Sequence, residues 1–196
     1  MSVYAVVPVK DLREAKSRLS PVLDPEVRAD LARRMLRRVL FALRGAGVQN
    51  VCVVSPDETV LDLAARSGVA PLVQEDSGLN LALEHGRLWA MESRATELLV
   101  LPADLPLLEP DDVRALLEGT KVHPPVSISP DGERSGTNAL LLRPPDALPF
   151  HFGLDSFTKH VRAAEERDLG LRIVERPGLA FDLDTVEDFA RLGASR

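Results

Sequence analysis

The sequence predicts one mixed α/β domain built on a largely parallel sheet, and three observations carry that expectation. Val3 to Val9 and Leu98 to Leu101 are apolar runs, too short for helices and too continuous for strands with one wetted face. Strands buried on both sides look like this. From Val3 to Gln74 the chain reads strand, helix, strand, helix, strand, the rhythm of parallel strands joined by right-handed crossovers. Beyond Lys121 the texture changes. Val126-Ser127-Ile128-Ser129 alternates, and Thr137 to Leu142 offers a partner strand across a polar, glycine-containing turn.

The elements follow in order. Pro8 interrupts the first run, and a charged loop extends from Lys10 to Pro21. Asp24 and Pro25 stand where an N-cap and a first helical residue belong. Val27, Leu31, Met35, Val39 and Leu43 then recur at every fourth position with arginines opposite, until Gly45 and Gly47 end the helix. Asn50 to Ser55 reads as a strand, Asp57 to Arg66 as a helix stopped by Gly68, and Ala70 to Gln74 as a third strand. Leu79 to Arg94 forms a helix whose Leu83, Trp89 and Met91 are assigned to the core. Pro102 has no N–H and ends the Leu98 strand. Pro110-Asp111-Asp112 opens a helix whose acids suit its positive end. A helix over Ser156 to Arg167, a short strand over Arg172 to Glu175 and a helix over Val186 to Leu192 complete the chain. No repeat, low-complexity tract or linker divides it, so residues 1–196 are expected to form a single domain.

The totals exclude several functions. With 196 residues, 45% of them hydrophobic and 28% charged, the chain can bury a sizeable core. A net charge of −6 argues against nucleic-acid partners, which need a basic face. The only cysteine, Cys52, lies in an apolar strand and can build neither a disulfide framework nor a cysteine zinc site. The amino-terminal apolar run is short and followed at once by Lys10 and Asp11, unlike a signal peptide, and no stretch has the length of a membrane span. A cytoplasmic protein without a membrane partner is expected.

Asp104 emerges at the carboxyl end of the Leu98 strand, where open α/β sheets bind ligands. It reads either as a turn aspartate or as a carboxylate held beside a metal and a nucleotide. Lys10, Arg13, Lys16 and Arg18 outnumber Asp11 and Glu14 in the loop after the first strand, a local positive patch suited to a polyphosphate tail. In Asp182-Leu183-Asp184, extended backbone would turn both carboxylates to one side. Paired carboxylates raise each other's pKa and favour a cation such as Mg2+, with Asp104 as a third contributor. Asp184 with Thr185 and Glu187 reads equally well as a helix cap. His85, His123, His151 and His160 lack metal-ligand spacing, and Ser156 has no histidine pattern for a hydrolase triad. Neither common glycine-rich phosphate cradle is present.

A set of motifs occurs in one order: Val-Pro-Val-Lys followed by Ala-Lys-Ser-Arg-Leu, Gly78-Leu79-Asn80, Pro102-Ala103-Asp104, Gly136-Thr137-Asn138, Phe152-Gly153 with Ser156-Phe157 and His160, and Asp182-Leu183-Asp184-Thr185. Together they resemble, over nearly the whole chain, the phospholactate/phosphoenolpyruvate guanylyltransferases that make the deazaflavin coenzyme F-420. The resemblance implies a Rossmann-like, GT-A-like nucleotidyltransferase fold with helices on both faces of the sheet. It implies GTP and magnesium as reactants, with Asp104, Asp182 and Asp184 matching the metal-binding acids. Pro8, Val9, Lys10, Lys16, Gly78, Asn80 and Pro102 match nucleotide-binding positions, and Thr137, Gly153 and Ser156 match the acceptor site for phosphoenolpyruvate. Leu154-Asp155 departs from the Pro-Gly often found there, which places an acid beside an anionic acceptor unless Asp155 turns to cap the next helix. Val186 replaces a proline often seen after Asp-x-Asp-Thr.

The expected reaction is in-line attack of the acceptor's phosphate on the α-phosphorus of GTP, giving enolpyruvyl-diphospho-guanosine and pyrophosphate. Lys16 and Arg18 would steady the leaving pyrophosphate, and Asp104 would complete the catalytic set. The alternatives are 2-phospho-L-lactate as acceptor, a sugar-phosphate or molybdopterin nucleotidyltransferase, and a non-enzymatic nucleotide-binding domain. The second lacks its usual glycine-rich first loop here, and the third has no need of three convergent acids.

Overall fold

A computed structural model describes residues 2–118 and 124–194; Lys121 and His123 lie outside the described residues. The first half of the chain is β1 (Val3–Pro8), α1 (Pro25–Gly45), β2 (Asn50–Ser55), α2 (Glu58–Arg66), β3 (Ala70–Val73) and α3 (Leu79–Glu92). The second half is β4 (Glu97–Val100), α4 (Pro110–Leu117), β5 (Val126–Pro130), β6 (Thr137–Leu142), α5 (Ser156–Glu165), β7 (Leu171–Ile173), α6 (Pro177–Ala180) and α7 (Val186–Ala194). Seven strands form one sheet in the order β3-β2-β1-β4-β6-β5-β7. β6 is antiparallel to both its neighbours, and the other pairings are parallel.

The sheet separates two cores because successive strand residues face opposite sides. Ala5, Val7, Leu99 and Leu101 join residues of α1, α2, α4 and α6 on one face. Val6, Leu98 and Val100 join residues of α3 and α5 on the other. β1 and β4 are therefore buried on both sides, as their unbroken apolar runs predict. A Cβ at Gly86 of α3 would lie 2.4 Å from Val6 Cγ1, so only glycine lets this helix settle directly on β1. A third, smaller cluster gathers Leu19, Met35 and Leu183.

Several expectations need correction. The four-residue series on α1 does not mark one face, since each step of four residues overshoots a turn by roughly 40°. Val27 is exposed, Met35 belongs to the third cluster, and Val39 and Leu43 belong to the first. Arg28 on the same helix is buried rather than solvated, and its guanidinium donates to the Ala15 carbonyl at 3.1 Å. Met91 is exposed while Leu83 and part of Trp89 are packed, because α3 covers the sheet with one face only. α6 is an element without a sequence signal, and β7 starts and ends slightly earlier than expected.

Chain order places the site. The chain runs outward through β2 and β3, then returns to lay β4 on the other side of β1. Adjacent parallel strands whose connections leave in opposite directions open a crevice at their carboxyl ends. The loop after β1 carries Lys16, and the loop after β4 carries Asp104.

Candidate active site

Two buried leucines bring the charged residues together. Leu19 closes a short 3-10 turn (Ser17–Leu19) and packs in the cluster of Met35 and Leu183. Leu183 stands between Asp182 and Asp184, and its N–H donates to the Asp104 carbonyl at 3.1 Å. Burying these two apolar side chains fixes two charged segments at the crevice rim. Leu101 and Leu105, both fully buried, pin the Asp104 loop from either side. The basic loop is tied at Leu12, whose N–H donates to Asp57 Oδ2 at 2.9 Å, and at Ala15 by Arg28.

Lys16 reaches into this corner. Its Nζ donates to Asp104 Oδ2 and to Asp184 Oδ1, both at 2.8 Å. Burial alone would lower its pKa, but the two carboxylates outweigh that and the net shift is upward, so the ammonium stays charged. Lys16 has φ 50°, a left-handed conformation that costs a non-glycine residue roughly 1 kcal/mol or more. Arg18 lies farther out, 3.7 Å from Asp184 Oδ2 and largely exposed. Arg13 is bound to Asp11, and Lys10 is exposed.

Asp182 completes the acids. Asn138 Nδ2 donates to its Oδ1 at 3.2 Å and to the Leu179 carbonyl at 2.9 Å. Its pKa is raised, first by burial and further by the negative charge of Asp104 and Asp184, while Asn138 acts in the opposite direction. The helix-cap alternative for Asp184 goes to other residues. Asp188 Oδ2 accepts from the backbone of Asp184 and Thr185 and from the Thr185 hydroxyl, leaving the Asp184 carboxylate to Lys16. Asp104 and Asp184 thus meet at Lys16 from two distant segments, with Asp182 within electrostatic reach of both. A hard, oxygen-preferring divalent cation such as magnesium suits that donor set. Among the described residues no three acidic, histidine or cysteine side chains stand ready as a metal cage; the Lys16 ammonium lies between Asp104 and Asp184.

A second, neutral cluster lies on the α5 side. The β5–β6 register skips Asn138, pairing Ser129 with Ala139 and Pro130 with Thr137. This bulge breaks the alternation of β6, as bulges near functional sites do. Asn138 meets α6 and Asp182, while Thr137 Oγ1 lies 3.1 Å from His160 Nδ1 on α5. Thr137, Ser156 and His160 are all buried. Gly153 has φ +119°, a conformation L side chains rarely adopt, and Ser156 N–H donates to its carbonyl at 3.2 Å. Asp155 takes the N-cap position of α5 but makes no side-chain cap bond and is exposed.

Of the nucleotide-site candidates, Pro8 ends β1 and Val9 follows it, Pro102 follows β4, and Gly78 precedes α3 with φ +119°. Asn80 faces the neutral cluster: its Oδ1 accepts from Phe152 N–H at 2.9 Å and its Nδ2 donates to the Phe152 carbonyl at 3.1 Å. Asn138, His160, Thr185 and Asp188 were given no role by residue-level reasoning. The adjacency of Thr137 and Asn138 is visible in the sequence, but the bulge that decides which face each takes is not. His160, which lacks metal-ligand spacing to the other histidines, is buried and bonded at both ring nitrogens.

Comparisons with known proteins follow this geometry. Residues 3–193 match the family described as guanylyl transferase CofC like. The chain is 62% identical over 195 residues to the phosphoenolpyruvate guanylyltransferase of Rubrobacter xylanophilus, covering 100% of this chain and 95% of that protein. It is 34% identical over 193 residues to the 3-phospho-D-glycerate guanylyltransferase of Colwellia psychrerythraea, covering 98% and 91%. A solved nucleotidyl transferase from Methanothermobacter superimposes with a TM-score of 0.71 at 18% identity, over 99% of this chain and 97% of that one. At that identity the likeness speaks for the fold alone, and the fold is that of a nucleotidyltransferase. With a family match across almost its full length, this chain belongs to the guanylyl transferase CofC-like family.

Proposed function

We propose that the protein transfers GMP from GTP to phosphoenolpyruvate, giving enolpyruvyl-diphospho-guanosine and pyrophosphate for deazaflavin coenzyme assembly. The observation that carries this reading is the meeting of Lys16 with Asp104 and Asp184, with Asp182 alongside, at the switch point of the sheet. The relative named phosphoenolpyruvate guanylyltransferase, at 62% identity, supports the choice of acceptor.

The acceptor's phosphate oxygen is anionic at neutral pH and needs no general base. It attacks the α-phosphorus, and the bond to the β-phosphate oxygen breaks with its electron pair leaving on pyrophosphate. The protein's task is to bring two anions together and to meet the charge that develops. Lys16 and Arg18 face the departing pyrophosphate. Thr137, Gly153 and Ser156 receive the acceptor, and Pro8, Val9, Lys10, Gly78 and Pro102 border the nucleotide. Asp104, Asp182 and Asp184 would hold Mg2+, which supplies charge neutralisation at the phosphates when bound. A cytoplasmic location fits an enzyme that draws on GTP and magnesium. No described helix is long and apolar enough to cross a membrane.

Pyrophosphate release tests the reading. With GTP and magnesium, phosphoenolpyruvate should give the highest kcat/KM among phosphoenolpyruvate, 2-phospho-L-lactate and 3-phosphoglycerate. A clear preference for another acid would reassign the acceptor. No release with any of them would end the proposal.

A further inference from the structure

Resting on that acceptor-site reading, one neutral side chain that no step above uses has both ring nitrogens committed. His160 is fully buried. Its Nε2 receives the His151 backbone N–H at 3.0 Å. An amide N–H can only donate, so Nε2 carries no proton. A neutral imidazole has one ring proton, which must then sit on Nδ1. The ring is neutral because burial, aided by nearby His151, lowers its pKa to about 4, against a smaller opposing pull from the Ser156 carbonyl. Nδ1 lies 3.1 Å from Thr137 Oγ1, so the bond between them runs from the ring N–H to the hydroxyl oxygen, with the Ser156 carbonyl as a second acceptor of the same proton.

That assignment fixes the chemistry of Thr137. Its oxygen accepts from His160, and its own proton has no protein acceptor among the described residues. That proton is left for a ligand, while the oxygen keeps a second lone pair. We propose that His160 is a positioning residue locked in the Nδ1–H tautomer, which turns the Thr137 hydroxyl into a donor aimed at an anionic oxygen of the acceptor. The same ring anchors the acceptor loop. His160 holds His151 N–H, Asn80 holds both backbone groups of Phe152, and Gly153 follows with its left-handed φ. The Phe152 ring stands edge-on to the imidazole at 5.0 Å and covers it. The group against Thr137 is thus one that can accept its proton, such as a carboxylate or phosphate oxygen.

Two measurements on the full chain test this. Nitrogen-15 NMR of the imidazoles at neutral pH should find His160 protonated at Nδ1 and bare at Nε2; the opposite tautomer overturns the proposal whatever the activity. Kinetics with GTP, magnesium and the acceptor that the wild type turns over supply the second readout. His160→Gln keeps an acceptor near the Nε2 position and leaves Thr137 unpartnered. It should raise the acceptor KM about tenfold or more, the scale of losing a hydrogen bond to a charged group, with the GTP KM within about twofold. His160→Asn places an amide nitrogen near the Nδ1 position and should recover most of that loss. An unchanged acceptor KM in His160→Gln, or equal losses for GTP and acceptor, would reduce His160 to packing and overturn the assignment. A wild type that releases no pyrophosphate with any acceptor overturns instead the function on which it rests, and the NMR result then decides the tautomer alone.

Discussion

The two halves of the crevice hold their side chains by opposite means. In the Lys16 corner, charge is balanced against charge: one ammonium, two carboxylates bonded to it at 2.8 Å and a third acid within electrostatic reach. In the His160 corner no charge is used. A neutral ring, a hydroxyl oxygen, an amide and backbone groups pair with one another in buried and half-buried positions, and the Thr137 proton is left for a ligand. The contrast teaches what each corner can change. Ion pairs at a partly open rim exchange partners easily when a more highly charged ligand arrives. Neutral hydrogen bonds between buried groups have no such exchange, since breaking one leaves a buried group with its desolvation cost. On the proposed function, the charged corner trades its lysine contacts for a triphosphate, and the neutral corner keeps its geometry throughout.

Asp104→Asn strikes this contrast hardest. It should lower kcat by roughly a thousandfold, since several kcal/mol of charge stabilisation are lost at the reacting phosphates. The melting temperature should change little, because Lys16 keeps Asp184 as its partner. Pyrophosphate release and thermal melts check both parts, and near wild-type turnover would remove the acids from the chemistry.

Acidification should expose the neutral corner next. Burial lowers the pKa of His160 in the folded chain to about 4, from the ordinary imidazole value of 6.5. Between those values the unfolded chain binds the proton and the native chain does not, so stability falls as the pH drops from about 6.5 to about 4. A shift of that size corresponds to about 3 kcal/mol in full. Urea titrations at both ends of the window should show this loss in the wild type, and a smaller one in His160→Phe, which has no ring proton to gain. Identical pH slopes for the two proteins would show that His160 is not held neutral.

The smallest effect belongs to the outermost cation. Arg18 is mostly exposed and 3.7 Å from Asp184, so Arg18→Ala should alter stability by less than about 0.5 kcal/mol while raising the KM for GTP a few-fold. A large loss of stability would mean that the rim ion pairs hold the fold, against the distinction drawn above.

Much of this was legible from residues alone. Val3–Pro8 and residues 98–100 are unbroken apolar runs because both faces of the central sheet are covered, and the buried Glu97 that opens β4 is tolerated there only as the ion-pair partner of Arg143. Asp104 followed from Pro102 ending the strand, and the ordered motifs pointed to the family. Where the reading failed, it failed at contacts between distant segments. Val27 looked like core because a fourfold spacing was taken as a face, and only the winding of α1 across two clusters corrects it. His160 looked unremarkable because nothing near it in sequence reveals that Thr137 lies opposite.

The sequence by itself determined the strands, the helices and which residue types stand at the carboxyl ends of the strands, because hydrophobic periodicity and proline stops act locally. Only the tertiary structure decided how those types combine. Leu19 and Leu183 lie far apart along the chain, and their joint burial is what sets Lys16 against Asp184. One extra residue in β6 sends Thr137 to His160 and Asn138 to Asp182. Both outcomes depend on packing and register across the sheet, and no local pattern encodes either.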